Sequence, residues 1–149
     1  MKIKILEIGD EKLLLEFLLK LSPETLELWY FYGKQFDLKK AQEILNDFSS
    51  LKIAGLDEEE RIVVLGHLYK FKNDSCRLGI VAGITGKGYG TKMMKILINF
   101  AKASGCKKIF LSTYQDNNPA LGLYKKFGFI IVKEFNDRSK KTYEMKLEF

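Results

Sequence analysis

A single mixed α/β domain is the fold class this sequence predicts, and three observations carry it. Its 149 residues are close to the commonest domain size and contain no linker, internal repeat or low-complexity stretch. Apolar residues at helical spacing dominate the first third, and strand-like runs dominate much of the remainder. Over residues 78–115 a strand, a loop with Gly86, Gly88 and Gly90, an amphipathic helix and a second strand follow one another. Such a crossover unit predicts two parallel strands side by side with a right-handed connection.

The elements follow in order. "KIKILEI", residues 2–8, reads as a short Ile-rich strand. Asp10 is placed to cap a helix in which Leu13, Leu14, Phe17, Leu18 and Leu21 recur at helical spacing. "SPETLELWYFYG" offers Ser22 as a cap and Pro23 at the first helical position, with Gly33 ending the helix. Asp37 caps a third helix whose apolar face is Leu38, Ala41, Ile44, Leu45 and Phe48. "LKIAGLD" and "RIVVLGHLYKF" flank an acidic turn and predict a hairpin, and "NDS" turns the chain into "CRLGIVAGI". Residues 91–104 form a helix with Met94, Leu97 and Ala101 on one side and Lys92, Lys95, Asn99 and Lys102 in a solvated stripe. Gly105 ends it, "KKIFLSTYQ" is a strand, and Asn118-Pro119 opens a short helix closed by Gly128. "FIIVKEF" and "TYEMKLEF" make a final hairpin around "NDRSK". In its last strand Tyr143, Met145, Leu147 and Phe149 alternate with polar residues.

Composition narrows the function classes. A net charge of +6 favours anionic partners, but the lysines are scattered, so dedicated nucleic-acid binding is not expected. No apolar run approaches the ~20 residues needed to cross a bilayer, so no membrane partner is expected either. "MKIKILEIGDEKLLLEFLLK" is charged throughout and lacks a small-residue cleavage site, unlike a signal peptide. Cys76 and Cys106 show no paired spacing, which argues against a disulfide framework or a metal site and makes the cytoplasm the default setting.

"TGKGYGT" lies between a strand end and a helix start. Backbone N–H groups of a first helical turn lack intrahelical partners, and the macrodipole adds about half a positive charge there. Glycines let such groups converge on a phosphate or diphosphate. They equally suit a tight connection that needs only steric relief, and Lys87 reads either as an added charge or as a solvated lysine. A P-loop needs G-x-x-x-x-G-K-[ST], which is absent. The dinucleotide fingerprint needs G-x-G-x-x-G and an acid ~20 residues on, and neither is present.

At these residues the chain resembles the GCN5-related N-acetyltransferases. Their coenzyme A loop reads [R/Q]-x-x-G-x-[G/A], matched by Thr85-Gly86-Lys87-Gly88-Tyr89-Gly90 except at its first position. Their N-x-x-A-x-x-x-Y-x-x-x-G-F pattern is filled by Asn117, Ala120, Tyr124, Gly128 and Phe129. The specific motifs lie within residues 80–129, and the element order agrees along the whole chain. The resemblance implies a twisted, mostly antiparallel sheet of about seven strands with a splayed parallel central pair, flanked by four to five helices. It also implies acetyl-CoA as cosubstrate, no metal, and transfer of an acetyl group to a small-molecule or peptide amine in a ternary complex. Thr85, standing where Arg or Gln is usual, lacks a guanidinium's charge and fork, which leaves room for a module that binds coenzyme A without turnover.

Roles follow from the same resemblance. Ile80, Val81 and Ala82 would pair with the pantetheine arm and polarise the thioester carbonyl. Gly86, Lys87, Gly88, Tyr89, Gly90 and Thr91 would hold the diphosphate together with Thr85. Asn117, Ala120 and Lys126 (with Lys125) would contact the coenzyme. Tyr124 would act as general acid to the departing sulfur. His67, the sole histidine, has a suitable intrinsic pKa for a general base, yet its register with Val63, Leu65, Tyr69 and Phe71 equally suits a packed ring. Asp74 is a weaker base candidate. An acyl-cysteine route through Cys76 or Cys106 finds no nucleophile setting. The acceptor wall would come from the early helices and the final hairpin. There, Trp29, Tyr30, Phe31, Tyr32 and Phe36 would divide between core, acceptor pocket and a homodimer interface, and Glu24 and Glu27 could attract a cationic amine.

Overall fold

The computed structural model describes residues 1–29 and 31–149. Its first third holds strand β1 (Lys2–Ile5) and helices α1 (Glu11–Leu19), α2 (Pro23–Leu28) and α3 (Leu38–Asn46). β1 is thus shorter than the Ile-rich run suggests. α1 buries Leu14, Phe17 and Leu18, and Asp10 holds its N-cap position, but the Asp10 side chain makes no cap hydrogen bond. Its carboxylate instead accepts the Glu7 N–H at 2.9 Å, tightening the turn ahead of the helix. α2 starts as expected, with the Ser22 hydroxyl accepting the Thr25 N–H at 3.1 Å and Pro23 at the first position.

α2 stops at Leu28 and does not run to Gly33, because Trp29 turns to extended dihedrals (φ −125°, ψ 93°). A continued helix would spread consecutive aromatic rings over every face. Leaving the helix lets Trp29, Phe31 and Tyr32 gather against one another and against His67. Tyr30 lies outside the described residues. α3 is capped by Asp37, whose Oδ1 accepts the Lys40 N–H at 2.8 Å, and buries Ala41, Ile44 and Leu45. The expected apolar face is trimmed at both ends: Leu38 opens the helix and Phe48 lies beyond its cap, and both are exposed.

The rest of the chain alternates between sheet and helix: β2 (Leu51–Leu56), β3 (Ile62–Lys72), β4 (Ser75–Ala82), α4 (Tyr89–Ala103), β5 (Lys108–Tyr114), α5 (Asn118–Lys126), β6 (Ile130–Asp137) and β7 (Lys140–Glu148). The strands form one sheet in the order β1-β2-β3-β4-β5-β7-β6. Among the described residues only β4 and β5 pair in parallel. The period-two alternation of strands divides the core between the two faces. Ile53, Val64, Leu78, Ile109 and Met145 meet Met93, Met94, Leu97 and Ala101 of α4. Ala54, Leu65 and Val81 meet Leu14, Phe17 and Leu18 of α1 and Ile44 and Leu45 of α3. The clean alternation expected for the last strand is only partial, since Thr142 is buried and Phe149, just past the strand, is exposed.

The feature that positions the site is a fork in the sheet. β4 and β5 pair through Ser75 with Lys108, Cys76 with Ile109 and Arg77 with Phe110, and the pairing ends there. Beyond that point β4 stays bonded to β3 as far as Ala82, and β5 stays bonded to β7 as far as Tyr114. The backbone groups on their facing sides are therefore open. Arg77 ties the base of the fork together. Its guanidinium lies 2.8 Å from Glu144 on β7 and donates to the Ser112 hydroxyl on β5 at 2.8 Å.

Candidate active site

The fork opens into a cavity of about 570 Å³. On one wall β4 contributes Leu78, Gly79, Ile80, Val81 and Ala82, followed by Thr85 and Gly90 from the glycine loop and helix start. Opposite, β5 contributes Ser112, Thr113 and Tyr114, and α5 contributes Asn117, Pro119, Ala120, Leu123 and Tyr124. The rest of the lining comes from Thr25, Leu28, Trp29 and Phe31, from Tyr69 on β3 opposite Arg77, and from Asp137, Arg138 and Thr142 of the β6–β7 hairpin.

The glycine loop leaves a helix start with free leading N–H groups. Gly86 and Gly88 take φ of +77° and +76°, values that L side chains rarely adopt. Gly88 is the cap of α4, which starts at Tyr89, two residues ahead of the sequence expectation, and no side chain caps it. The first helical bond runs from the Lys92 N–H to the Gly88 carbonyl at 3.1 Å. The N–H groups of Tyr89, Gly90 and Thr91 therefore precede the helical ladder, where the macrodipole is positive. Gly86, Lys87 and Gly88 are exposed at the loop surface, and Tyr89 and Thr91 are half-buried.

α5 places the second motif against the fork. Pro119 sits in its first turn, and the Asn117 Oδ1 accepts the Ala120 N–H at 3.4 Å. Asn117 therefore caps α5, and the residue also borders the cavity. Tyr124 is buried at 6% exposure, beside Phe129, at a ring-centroid distance of 6.0 Å. Burial pushes its hydroxyl pKa well above the ordinary phenol value. Lys125 and Lys126 are exposed at the end of α5, away from the cavity lining.

His67 is the largest departure. Its ring is fully buried, outside the cavity lining, at 4.0 Å from the Phe31 ring and 5.2 Å from the Tyr69 ring (centroid distances). Among the described residues neither ring nitrogen has a hydrogen-bond partner. Burial, helped by the Lys52 ammonium, depresses its pKa to about 3. A proton acceptor needs access to the substrate and a pKa near the working pH. His67 has neither, so the packed-ring alternative describes it and the base alternative does not. Asp74 is no nearer: it lies in the β3–β4 turn, at the opposite end of β4 from the fork, where its carbonyl accepts the Lys107 N–H at 2.6 Å. Cys76 and Cys106 are free and buried, and burial beside Cys106 pushes the Cys76 thiol up to about 12. Glu24 and Glu27 are exposed and outside the lining, and Glu27 pairs with Lys34.

The structure thus brings Ile80, Val81, Ala82, Thr85, Gly90, Asn117, Ala120 and Tyr124 to one cavity; Gly86, Lys87, Gly88, Tyr89 and Thr91 lie beside it in the loop and helix start without lining it, and His67 and Lys126 are out of it. Tyr114, Asp137, Arg138 and Thr142 were not singled out from the sequence. The "NDRSK" turn marks the hairpin, but only tertiary packing swings that turn over the fork.

The same arrangement recurs among known proteins. The family model described as "Acetyltransferase (GNAT) family" matches residues 20–129. The GNAT domain of S. lividans PAT superposes with a TM-score of 0.85 at 11% identity, covering 99% of this chain and 89% of that one. The spermidine N-acetyltransferase from Vibrio cholerae, in complex with CoA and spermine, gives 0.82 at 17% identity, covering 99% and 94%. By sequence, the spermine/spermidine N(1)-acetyltransferase of Bacillus subtilis (strain 168) is 41% identical over 58 residues, 38% of each chain. The chain spans well under half the length of the curated relatives it matches. With the family match running from the end of α1 to Phe129 and the fold shared over nearly the whole chain, this protein belongs to the acetyltransferase (GNAT) family.

Proposed function

We propose that this chain is an N-acetyltransferase that moves the acetyl group of acetyl-CoA directly to an amine held in the same cavity. One observation carries the reading. The parallel pair opens beyond Arg77, between a helix start with no side-chain cap and the buried hydroxyl-bearing Tyr124. Acetyl-CoA supplies the acetyl group as an activated thioester, and the residues present suit it. The leading N–H groups of α4 suit a diphosphate, with Thr85 adding a hydroxyl and Lys87 a charge in place of the family's arginine or glutamine. Ile80, Val81 and Ala82 offer the open edge of β4 to an extended arm, as a neighbouring strand would. Asn117 uses its Oδ1 in the cap and so meets a ligand through its Nδ2 donor.

The chemistry asked of the protein is modest. A fixed N–H of β4 stabilises an oxygen on which negative charge builds, and it needs no reorganisation to do so. Tyr124 starts protonated, because burial disfavours its phenolate, and donates to the departing sulfur. The proton shed by the amine restores it. An alkyl amine with a pKa of ~10 is mostly protonated at neutral pH, so turnover draws on the small neutral fraction.

The relatives that act on spermine and spermidine support a small-molecule acceptor over a peptide. A cytoplasmic setting belongs to the same reading and is supported by the two free buried thiols. Among the described residues no helix is long and apolar enough to cross a membrane. Pairing of two copies finds its support in the open edge strand β6, where Ile130, Ile131 and Val132 are all exposed. The test is thiol release from acetyl-CoA over a panel of amines. The expected result is release that depends on the amine. Coenzyme binding without release for any amine would favour the non-catalytic module instead.

A further inference from the structure

Resting on the acetyltransferase reading above, we infer that the acceptor is a monoamine with an aromatic or bulky apolar body, and not a polyamine. Besides β4, β5, α5 and the glycine loop, the cavity lining includes Leu28, Trp29, Phe31 and Tyr69 together with Asp137 and Arg138, and these are the residues left to meet the acceptor. Among the described lining residues, Asp137 is the single carboxylate and Arg138 the single cation. That carboxylate is already engaged. It lies 3.8 Å from the Arg138 guanidinium and accepts from the Tyr114 hydroxyl at 3.4 Å. The flanking charges are paired with one another. The Lys140 ammonium stands 4.5 Å from the Tyr114 ring and is paired with Asp116 at 3.3 Å, and Glu27 is paired with Lys34.

A polyamine carries two or more further ammonium groups at neutral pH. Each would shed water on entering the cavity and would need a carboxylate to replace it. One carboxylate, itself paired, does not meet that need. A monoamine attacks in its neutral form and brings no residual charge into the cavity. The wall it meets is a set of aromatic rings locked by their own contacts, with Phe31 against Tyr69 at 4.8 Å and Trp29 against Tyr32 at 5.5 Å. Phe31 is 41% exposed, and the Trp29 indole nitrogen is buried with no partner among the described residues, so these two residues present ring carbon, not polar donors. An aromatic or bulky apolar body complements that surface by stacking and by removing it from water.

The test is kcat/KM from thiol release at saturating acetyl-CoA, with phenethylamine, tryptamine, spermidine, spermine and a lysine-containing peptide. Phenethylamine or tryptamine is expected to exceed spermidine at least tenfold. Trp29→Ala should raise the KM for tryptamine about tenfold while leaving acetyl-CoA affinity, read by calorimetry, unchanged, and Trp29→Phe should recover most of the loss. Should Trp29→Ala not fold, Phe31→Ala at the more exposed position carries the same expectation. Equal or better turnover of spermidine, or of the peptide, overturns the inference and leaves the acetyltransferase reading standing. An unchanged KM for tryptamine in the folded variants overturns it as well. No thiol release with any amine overturns both.

Discussion

His67 on β3 and Gly79 on β4 stand opposite each other in antiparallel register, and the imidazole occupies the space that a Gly79 side chain would need. A Cβ at position 79 would lie 2.2 Å from the His67 Cε1 and 2.3 Å from its Nε2. The histidine is therefore a packing element. It fills the gap between bare backbone and the rings of Phe31, Tyr32 and Tyr69, and in doing so it backs the aromatic wall of the cavity.

Gly79→Ala should destabilise the fold by about 1–3 kcal/mol through overpacking, even though alanine is otherwise tolerated in a strand. In a His67→Ala background the same change should cost much less, since the obstructing ring is gone. Urea unfolding of the four proteins measures the coupling. Equal costs in the two backgrounds would refute the packing described.

Acid should expose the same histidine. Its folded pKa, about 3, lies below the ordinary value of 6.5, so between these limits the unfolded chain binds the extra proton. The histidine's contribution to stability should be constant above pH 6.5 and then fall as pH drops, by up to about 1.4 kcal/mol per unit. His67→Leu should remove most of the slope between pH 6.5 and 5.5, above the range where the lowered carboxylates Glu11, Glu27, Asp47, Asp57 and Glu148 contribute. Denaturant unfolding at several pH values checks this, and an unchanged slope in the variant would count against it.

Gly88→Ala should weaken acetyl-CoA binding about tenfold with little loss of global stability. Nothing lies within 4 Å of an added methyl, so its cost is the positive φ alone, about 1–2 kcal/mol, which the loop escapes by moving its N–H groups. Calorimetry and thermal unfolding, measured together, separate the two effects.

Tyr124→Phe removes one hydroxyl and keeps the ring against Phe129. Acetyl-CoA affinity should stay within twofold, while kcat falls roughly a hundredfold, the low end of general acid contributions. Wild-type turnover should show no inflection near pH 6.5, because His67 does not titrate there. Unchanged kcat in the variant would remove Tyr124 from the chemistry.

What could be read from the sequence was what local physics fixes. The cap-proline start at Ser22-Pro23, the Asp37 cap, the glycine loop before α4 and the Asn117-Pro119 start of α5 each depend on residues within one turn of one another. What could not be read depends on distant partners. Asp10 has a cap residue's chemistry, but Glu7 and Lys4 claim its carboxylate. The end of α2 at Leu28 follows from where its aromatic rings find a hollow, which periodicity does not encode. His67 sits in strand register with apolar neighbours, and only the empty face of Gly79 and the returning segment after Trp29 decide that it is sealed. Asp137 and Arg138 read as ordinary hairpin residues until the sheet order carries their turn to the mouth of the fork.

The central claim is that acetyl-CoA lies in the fork between β4 and β5 with its diphosphate at the start of α4. Amide hydrogen exchange, compared with and without millimolar acetyl-CoA, tests this most directly. The expected result is slowed exchange at residues 80–82 and 86–91, with no change in β1. Unaltered exchange at both of those segments would contradict it.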